Sequence, residues 1–224
     1  MSVAASGSEP VTTAIATDVV IFTVRNDELA VLLRRRQREP FAGLWSLPGG
    51  FLGGSETPEA GAQRVVRDKV GMAGLYIEQL FTFGAPNRDP RGRVVTVAHF
   101  ALLPWDRAER VASAERFTSW EAVDSLPGLA FDHGGIVDMA RRRLVAKLDY
   151  STIALQLMAE RFTLSELQAV YEAILGGPLD KRNFRKRVRT FECIEATDEL
   201  YRAGKHRPAR LYRIKRPGEV QIIK

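Results

Sequence analysis

Residues 47–72 read LPGGFLGGSETPEAGAQRVVRDKVGM, and this stretch decides how the first part of the chain folds. Its first half is rich in glycine, which predicts a loop. Thr57 followed by Pro58 is typical of a helix start, with threonine as the N-cap and proline in the first helical position. Gly71 is placed to end that helix. The stretch therefore predicts a glycine-rich loop that runs directly into one helix.

Strand-like runs surround this loop and helix. Segments 18–24 and 29–34 flank Asn-Asp turn residues, which predicts a β-hairpin. Further strands are predicted over 76–83 and 93–103, and a further helix over 131–148. Alternating strands and helices favour an α/β or α+β domain, which we assign to residues 15–149.

The composition is that of a globular protein with room for two domains, since the chain has 224 residues, of which 45% are hydrophobic and 27% charged. Its single cysteine, Cys193, cannot form an internal disulfide, which fits a reducing compartment. Residues 1–14 are mostly small, so we expect a disordered tail. This tail has no signal-peptide pattern, and no apolar stretch reaches the roughly 18 residues of a membrane span. We expect a cytoplasmic protein that does not associate with membranes.

The last third of the chain follows a helical pattern. A first helix is expected around 153–158, and a capping box at Thr163 opens a second one. Asp180 caps a third helix over 181–189, which is short and basic, and two strand-like runs follow it. Helix, helix, basic helix and basic hairpin is the order of elements in a winged helix-turn-helix, so residues 150–224 are predicted to form such a domain.

All of the excess positive charge lies in this second domain. Residues 151–224 carry 15 Lys and Arg against 9 Asp and Glu, whereas residues 1–150 carry 18 of each, and the whole chain is +6. Residues 181–216 hold 13 basic and 4 acidic side chains, a pattern typical of a phosphate-binding surface. A basic helical dimerisation domain is the alternative, because positive charge also decorates plain surfaces.

The short basic helix is the predicted reader of double-stranded DNA. In a winged helix this element enters the major groove, where arginine, lysine and asparagine side chains contact base edges or phosphates. The wing would then contact the DNA backbone or the minor groove. The predicted DNA-binding residues are Lys181, Arg182, Asn183, Arg185, Lys186, Arg187, Lys205, Arg207 and Arg210.

Residues 50–72 resemble the Nudix box, whose family pattern is G-x5-E-x7-R-E-U-x-E-E-x-G-U, with U an aliphatic residue. The resemblance implies a Nudix fold, with a mixed sheet sandwiched by helices. It also implies an ion pair between Glu56 and Arg64 that ties the loop to the helix. The positions that keep the family residue are Gly50, Glu56, Arg64, Val66, Gly71 and Met72.

The departures from the box fall where the family's hydrolases bind magnesium or manganese through glutamates. Those positions are Val65, Asp68 and Lys69, and their spacing places them on one helical face. Valine offers no ligand, and a lysine ammonium occupies the space that a divalent cation needs. We therefore predict no catalytic residues, no metal and no required cofactor. The alternative is that other acids, such as Glu59, restore a metal site.

Residues 83–100, FGAPNRDPRGRVVTVAHF, look like the Arg-Asp-Pro-Arg-Gly segment of Nudix domains that act on ADP-ribose. Arginines there offer planar, multidentate donors to a pyrophosphate, and Asp89 would orient an arginine or accept from a ribose hydroxyl. An ordinary charged surface loop is the alternative. With the glycine-loop amides and a nearby arginine added, the predicted ligand-binding residues are Arg35, Gly49, Gly50, Phe51, Arg88, Asp89, Arg91 and Arg93.

The segments LDKRNFRKR (179–187) and RPARLYR (207–213) closely resemble the C-terminal domain of the Nudix-related transcriptional regulators, the NrtR family. The resemblance covers about residues 15–215. It implies a homodimeric repressor of NAD-biosynthesis or pentose-utilisation genes, which releases a palindromic operator when ADP-ribose or a related nucleotide sugar binds. Two alternatives stay open: an ADP-ribose pyrophosphatase with an appended nucleic-acid module, and a constitutive DNA-binding protein whose Nudix fold only dimerises.

Overall fold

The predicted hairpin begins the central sheet. Strand β1 (Ala14–Arg25) turns through Asn26 and Asp27 into β2 (Glu28–Arg35). Both turn residues have positive φ, 50° and 60°, which Asn and Asp tolerate better than most residues, so the turn composition explains the hairpin. The computed structural model describes residues 11–71, 73–114, 117–202 and 208–223.

Within the described residues, seven strands form one mixed sheet in the order β3-β2-β1-β6-β5, with β4 paired to β1 and β7 paired to β2. Strand β1 is parallel to β6 and antiparallel to β2 and β4. The predicted mixed sheet is therefore confirmed. The remaining strands are β3 (Trp45–Ser46), β4 (Gly49–Phe51), β5 (Tyr76–Phe83), β6 (Val94–Leu102) and β7 (Thr118–Ala122).

Helices cover both faces of the sheet, as the Nudix resemblance implies. Alternate residues of β1 face opposite sides: Val19 and Ile21 pack in one core cluster, and Val20 and Phe22 in the other. Burial on both faces explains why β1 reads as a continuous apolar run. The first cluster is covered by α1 (Pro58–Val70) and α2 (Trp105–Ala114), and the second by α3 (His133–Tyr150).

Helix α1 has the ends that its sequence predicts. The Thr57 hydroxyl accepts a hydrogen bond from the amide of Ala60 at 3.2 Å, and Pro58 stands at the first helical position. Gly71 ends the helix in the left-handed conformation, with φ 68°. The glycine-rich loop is thereby joined to the helix without an intervening linker.

The second domain has the predicted winged-helix order, with one difference. Its elements are a 3-10 helix (Ile153–Leu157), α4 (Leu164–Leu175), α5 (Lys181–Val188), β8 (Ile194–Tyr201) and β9 (Ala209–Ile214). The first helix, expected around 153–158, is thus only a 3-10 turn. Helix α3 extends to Tyr150, and the Thr152 amide then donates to the Gln221 carbonyl at 3.0 Å, so the chain is held by the C-terminal segment before a new helix begins.

The two domains share one hydrophobic core. Phe162, Tyr171 and Phe184 of the second domain belong to the same buried cluster as Phe22 of the sheet and Leu148 of α3. No helix among the described residues is long and apolar enough to cross a membrane.

A candidate nucleotide cavity and a candidate nucleic-acid interface

A cavity of about 700 Å³ lies between the glycine-rich loop and the arginine-rich loop. This volume is in the range of small-molecule sites, roughly 300–1,000 Å³. Of the described residues that line it, seven are arginine or lysine and two are aspartate, so the cavity is strongly cationic. A ligand with several negative charges suits it best.

Seven of the eight predicted ligand-binding residues line this cavity. They come from β2, the glycine-rich loop and the arginine-rich loop, and the last of these lies more than 35 residues beyond the other two. Arg93 is the exception, because it is not part of the lining and its guanidinium donates to the Gly84 carbonyl at 2.5 Å. The residues brought together are Arg35, Gly49, Gly50, Phe51, Arg88, Asp89 and Arg91.

Gly49 is where the loop crosses β1 most closely. It pairs with Asp18 across the β1–β4 ladder, and a Cβ atom on it would lie 2.2 Å from Asp18 Oδ1 and 2.8 Å from the Thr17 carbonyl oxygen. Only glycine fits this approach.

The ion pair expected between Glu56 and Arg64 is present. Arg64 Nε donates to Glu56 Oε1 at 2.7 Å and Nη2 donates to Oε2 at 2.9 Å. Arg64 Nη2 also donates to the Phe51 carbonyl at 3.1 Å, and the Gly53 amide donates to Glu56 at 3.2 Å. The hydrogen bonds from Arg64, and next that from Gly53, lower the pKa of Glu56 to about 2. The pair ties α1 to the loop and holds the loop backbone in place.

Arg88 forms the floor of the cavity and is already paired. Its side chain is only 4% exposed, and its Nε and Nη2 donate to the two carboxylate oxygens of Asp132 at 2.8 and 2.6 Å. Asp18 lies 3.5 Å from the same guanidinium. Asp132 immediately precedes α3, so Arg88 joins the arginine-rich loop to the start of that helix. Residues 131–133 read Phe-Asp-His, and the sequence alone gives no role to this segment. The contact with Arg88 shows that Asp132 holds the arginine-rich loop against α3.

His133, the first residue of α3, holds the glycine-rich loop from the other side. Its Nδ1 accepts from the Leu47 amide at 2.9 Å, so Nε2 carries the proton and faces Asp18 Oδ1 at 3.7 Å. Burial lowers the pKa of His133, which keeps the ring neutral at pH 7. His133 is therefore a structural group at the base of the cavity.

Arg91 is oriented by its neighbour Asp89. The buried carboxylate accepts from Arg91 Nε at 2.9 Å and from Nη2 at 2.6 Å, which lowers the pKa of Asp89. The Arg91 guanidinium lies 5.3 Å from the Phe51 ring centre and 5.8 Å from that of Phe131. Arg36 approaches the Phe131 ring at 4.7 Å. The cavity thus presents aromatic faces beside cations, which suits a ligand that combines a flat ring with anionic groups.

The three metal positions of the Nudix box do not converge on one point of the cavity. Val65 is 1% exposed and packs in the core beneath α1. The Asp68 side chain is 48% exposed and lies 3.7 Å from Arg67. Lys69 alone lines the cavity, and Glu59 is not in the lining. In the described part of the chain, no three His, Cys, Asp or Glu residues form a group that suits a metal ion. The residues present do not fit the divalent cation of the hydrolases.

The second site is the exposed face of α5. The Asp180 carboxylate caps this helix by accepting from the Asn183 amide at 2.8 Å. Phe184 and Val188 are buried, and the Phe184 ring lies 5.2 Å from that of Tyr171. The opposite face is left to solvent, and it carries Lys181, Arg182, Asn183, Arg185 and Lys186.

Arg187 differs from the other predicted DNA contacts of α5. It is half-buried, its guanidinium donates to the Leu148 carbonyl of α3, and it lies 5.6 Å from the Tyr171 ring centre. Arg187 therefore belongs to the junction between the domains. Arg210 is exposed on β9, whereas Lys205 and Arg207 lie outside the described residues.

The fold and the two sites define a class: a Nudix-type nucleotide-binding domain joined to a winged-helix DNA-binding domain. Two family models agree with this, since the NUDIX domain matches residues 14–139 and the NrtR DNA-binding winged helix domain matches residues 154–214.

The chain is similar to a transcriptional repressor and to a DNA-bound regulator over most of its length, which includes both domains. The chain is 38% identical over 200 residues to the ADPR responsive transcriptional repressor NtrR of Acinetobacter baylyi, which covers 88% of this chain and 80% of the relative. Its fold matches the crystal structure of Shewanella oneidensis NrtR complexed with a 27mer DNA, with a TM-score of 0.82, 37% identity, and coverage of 90% of this chain and 93% of the other. The NUDIX domain of S. oneidensis NrtR complexed with ADP ribose matches with a TM-score of 0.50 and 35% identity, over 59% of this chain and 89% of the other. The chain belongs to the NrtR family.

Proposed function

We propose that this chain is a transcriptional repressor whose hold on double-stranded DNA is controlled by ADP-ribose, or a closely related nucleotide, bound in the Nudix domain. One observation carries the proposal: the cationic cavity is complete, while the box positions that would hold a catalytic metal are Val65 in the core and Lys69 in the lining. Such a domain binds its ligand without a means of activating water on it. The chain therefore acts as a sensor and not as a hydrolase.

The chemistry of ADP-ribose suits the cavity. Its diphosphate calls for cations and backbone amides, which Arg35, Arg91 and the Gly49–Phe51 strand supply. Its adenine calls for a flat apolar surface, which the ring of Phe51 offers, since it lines the cavity and is 48% exposed. Arg88 and Asp89 act as positioning residues, because both side chains are buried: Arg88 pairs with Asp132, and Asp89 orients Arg91, whose side chain is 46% exposed. Arg93 is omitted from the proposed contacts.

The exposed face of α5 is the proposed reader of DNA. Its arginine and asparagine side chains suit guanine and adenine edges, and its lysines suit phosphates. Lys205, Arg207 and Arg210 would extend the contact through the wing, whereas Arg187 is omitted because it faces α3. A homodimer would present two such helices to a palindromic operator, placed at genes of NAD biosynthesis or related metabolism.

For ADP-ribose to release DNA, it must bind the DNA-free arrangement of the two domains more tightly than the DNA-bound one, because equal affinity would shift nothing. The shared core between the domains supports such coupling, since a movement at the cavity reaches the second domain through packed side chains.

The test begins with duplexes that the full chain selects from a random pool. Fluorescence anisotropy then measures DNA binding as ADP-ribose is added, and we expect the affinity for DNA to fall as the cavity fills. A parallel assay follows AMP release in the presence of magnesium, and we expect none above background. Unchanged DNA affinity at saturating ADP-ribose would overturn the sensor proposal, and magnesium-dependent AMP release would favour the pyrophosphatase alternative.

A further inference from the structure

Lys69 is the cation of the cavity that α1 supplies, and the fold leaves its ammonium available. It stands in the last turn of α1, lines the cavity and is partly buried. Within the described part of the chain, its ammonium has neither a hydrogen bond nor an ion pair. A partly buried cation without a partner carries a desolvation cost, which a bound anion would offset.

Two arginines of the same cavity, Arg88 and Arg91, differ in this respect. Asp132 occupies the guanidinium fork of Arg88, and Asp89 occupies that of Arg91. Each of these two arginines therefore shares its positive charge with a carboxylate before any ligand arrives. Lys69 adds a compact charge with three donors, and it does so at the box position where the family's hydrolases place a metal-binding glutamate.

We infer that the Lys69 ammonium takes the place of the divalent cation and binds the diphosphate of the nucleotide directly, so that ligand binding by this chain needs no metal. The inference rests on the proposed function. Lysine neutralises phosphate charge as a metal does, but it does not generate a hydroxide nucleophile at neutral pH. Lysine at position 69 thus retains the ligand without restoring the metal chemistry that Val65 also lacks.

Calorimetry on the full chain tests this with ADP-ribose in EDTA and, separately, in magnesium. We expect the wild type to bind equally in both buffers. Lys69→Gln should weaken binding about tenfold or more, the size of a lost charge-assisted contact, and Lys69→Glu should weaken it further by repulsion. Lys69→Arg should retain most of the affinity. Arg67→Gln is the matched control, because Arg67 lies in the same turn with its side chain 64% exposed, and it should bind as the wild type does.

The calorimetry distinguishes a failure of the Lys69 role from a failure of the sensor proposal. Wild-type binding that requires magnesium, or normal binding by Lys69→Gln, would overturn the role of Lys69 while the sensor proposal stands. No ADP-ribose binding by the wild type in either buffer would overturn both. Melting curves of each variant establish that a lost affinity is not a lost fold.

A second inference comes from α3, which reaches from one site to the other. At its start, Asp132 pairs with Arg88, and His133 accepts from the Leu47 amide. At its end, the Leu148 carbonyl accepts from Arg187 of α5, and the Tyr150 carbonyl accepts from the Ile223 amide at 2.7 Å. The helix has 18 residues, which spans about 27 Å at 1.5 Å per residue.

We propose that Arg187 transmits the state of the cavity to the recognition helix through α3. Because Arg88 and His133 tie the two cavity loops to the start of α3, a nucleotide that moves either loop also moves that helix. The Arg187 contact carries the resulting shift to α5. Arg187 is thus a positioning residue for α5 and not a DNA contact.

The test measures DNA affinity with and without saturating ADP-ribose for the wild type, Arg187→Ala and Arg189→Ala. The ratio of the two affinities is the coupling, and we expect Arg187→Ala to reduce it at least several-fold while ADP-ribose affinity without DNA is unchanged. Arg189 is an exposed arginine beside the same end of α5, so its variant should keep the wild-type ratio. If Arg187→Ala weakens DNA binding equally in both conditions, Arg187 is a DNA contact and the coupling role is wrong. A wild type without any response would instead contradict the sensor proposal.

Discussion

Helices α1 and α5 carry the functional motifs of the two domains, and they use their side chains in opposite ways. Each begins with a side-chain cap, from Thr57 and Asp180 respectively. In α1, a position that serves chemistry in the hydrolases is filled by Val65 and belongs to the core. In α5, the core is limited to Phe184 and Val188, and the basic residues other than Arg187 face solvent.

This difference shows at which positions a substitution changes the stability of the fold least. The charged face of α5 contributes little to folding, so the residues on it can change to suit a different DNA sequence without loss of stability. Position 65 of α1 is tied to packing, so the return of catalysis requires more than the return of glutamates. We therefore expect substitutions on the buried face of α1 to affect stability first, whereas those on the exposed face of α5 affect binding alone.

The largest effect is expected for Val65→Glu, which restores the box residue. The carboxylate would enter the core between α1 and the sheet without a partner, so we expect a loss of about 5 kcal/mol or failure to fold. Urea unfolding measures it. Asp68→Glu is the control, because its exposed side chain should change stability by less than about 0.5 kcal/mol. A stable Val65→Glu protein would mean that position 65 can turn toward the cavity.

A substitution on the buried side of α5 should lower stability almost as much as Val65→Glu does. Phe184→Ala removes a ring that packs against Tyr171 in the shared core, and we expect a loss of about 4 kcal/mol. Because that core continues into the sheet, unfolding of the two domains should remain a single transition for the wild type. Calorimetry checks both points, and two separated transitions in the wild type would contradict the shared core.

Local signals predict much of this fold. The turn at Asn26 and Asp27, the caps of α1 and the strand over Tyr76–Phe83 are all readable because their causes lie within a few residues. Helix α2 and strand β7 are absent from the prediction. Only Trp120 of β7 is buried, and the strand is defined by pairing with β2 more than 80 residues earlier, which no local pattern reveals.

The same limit applies to the site. Arginine-rich and glycine-rich segments predict a nucleotide cavity because residue type alone indicates the ligand chemistry. The partner of Arg88 is Asp132, which is 44 positions away, so its pairing is visible only in three dimensions. Six of the eight residues from Lys181 to Val188 are polar or basic, so the local sequence does not distinguish Arg187 from its neighbours. Its contact with the Leu148 carbonyl depends on where α3 ends.

A substitution on the exposed side of α5 should change DNA affinity and leave stability unchanged, which is the reverse of the effect expected for Phe184→Ala. Arg182→Ala should raise the dissociation constant for the selected duplex about tenfold, the effect of losing one base-edge contact, while the melting temperature stays unchanged. Anisotropy and thermal melting on the same sample test this together. Unchanged DNA affinity would mean that the recognition helix is assigned to the wrong element.

The smallest effect concerns the Glu56–Arg64 pair, whose contribution to stability is lost only in acid. Hydrogen bonds from Arg64 and Gly53 lower the pKa of Glu56 from 4.5 to about 2 in the folded protein. Since the folded pKa is the lower one, the pair stabilises the fold fully above pH 4.5, and this contribution is lost as the pH falls toward 2. Solvent screens the pair, so the effect should be small. Urea unfolding of the wild type and of Glu56→Gln, followed from pH 6 to pH 2, should give two curves that differ at pH 6 and converge in acid. A constant difference across that range would show that Glu56 acts through its shape and neutral hydrogen bonds, and that its charge is immaterial to the loop.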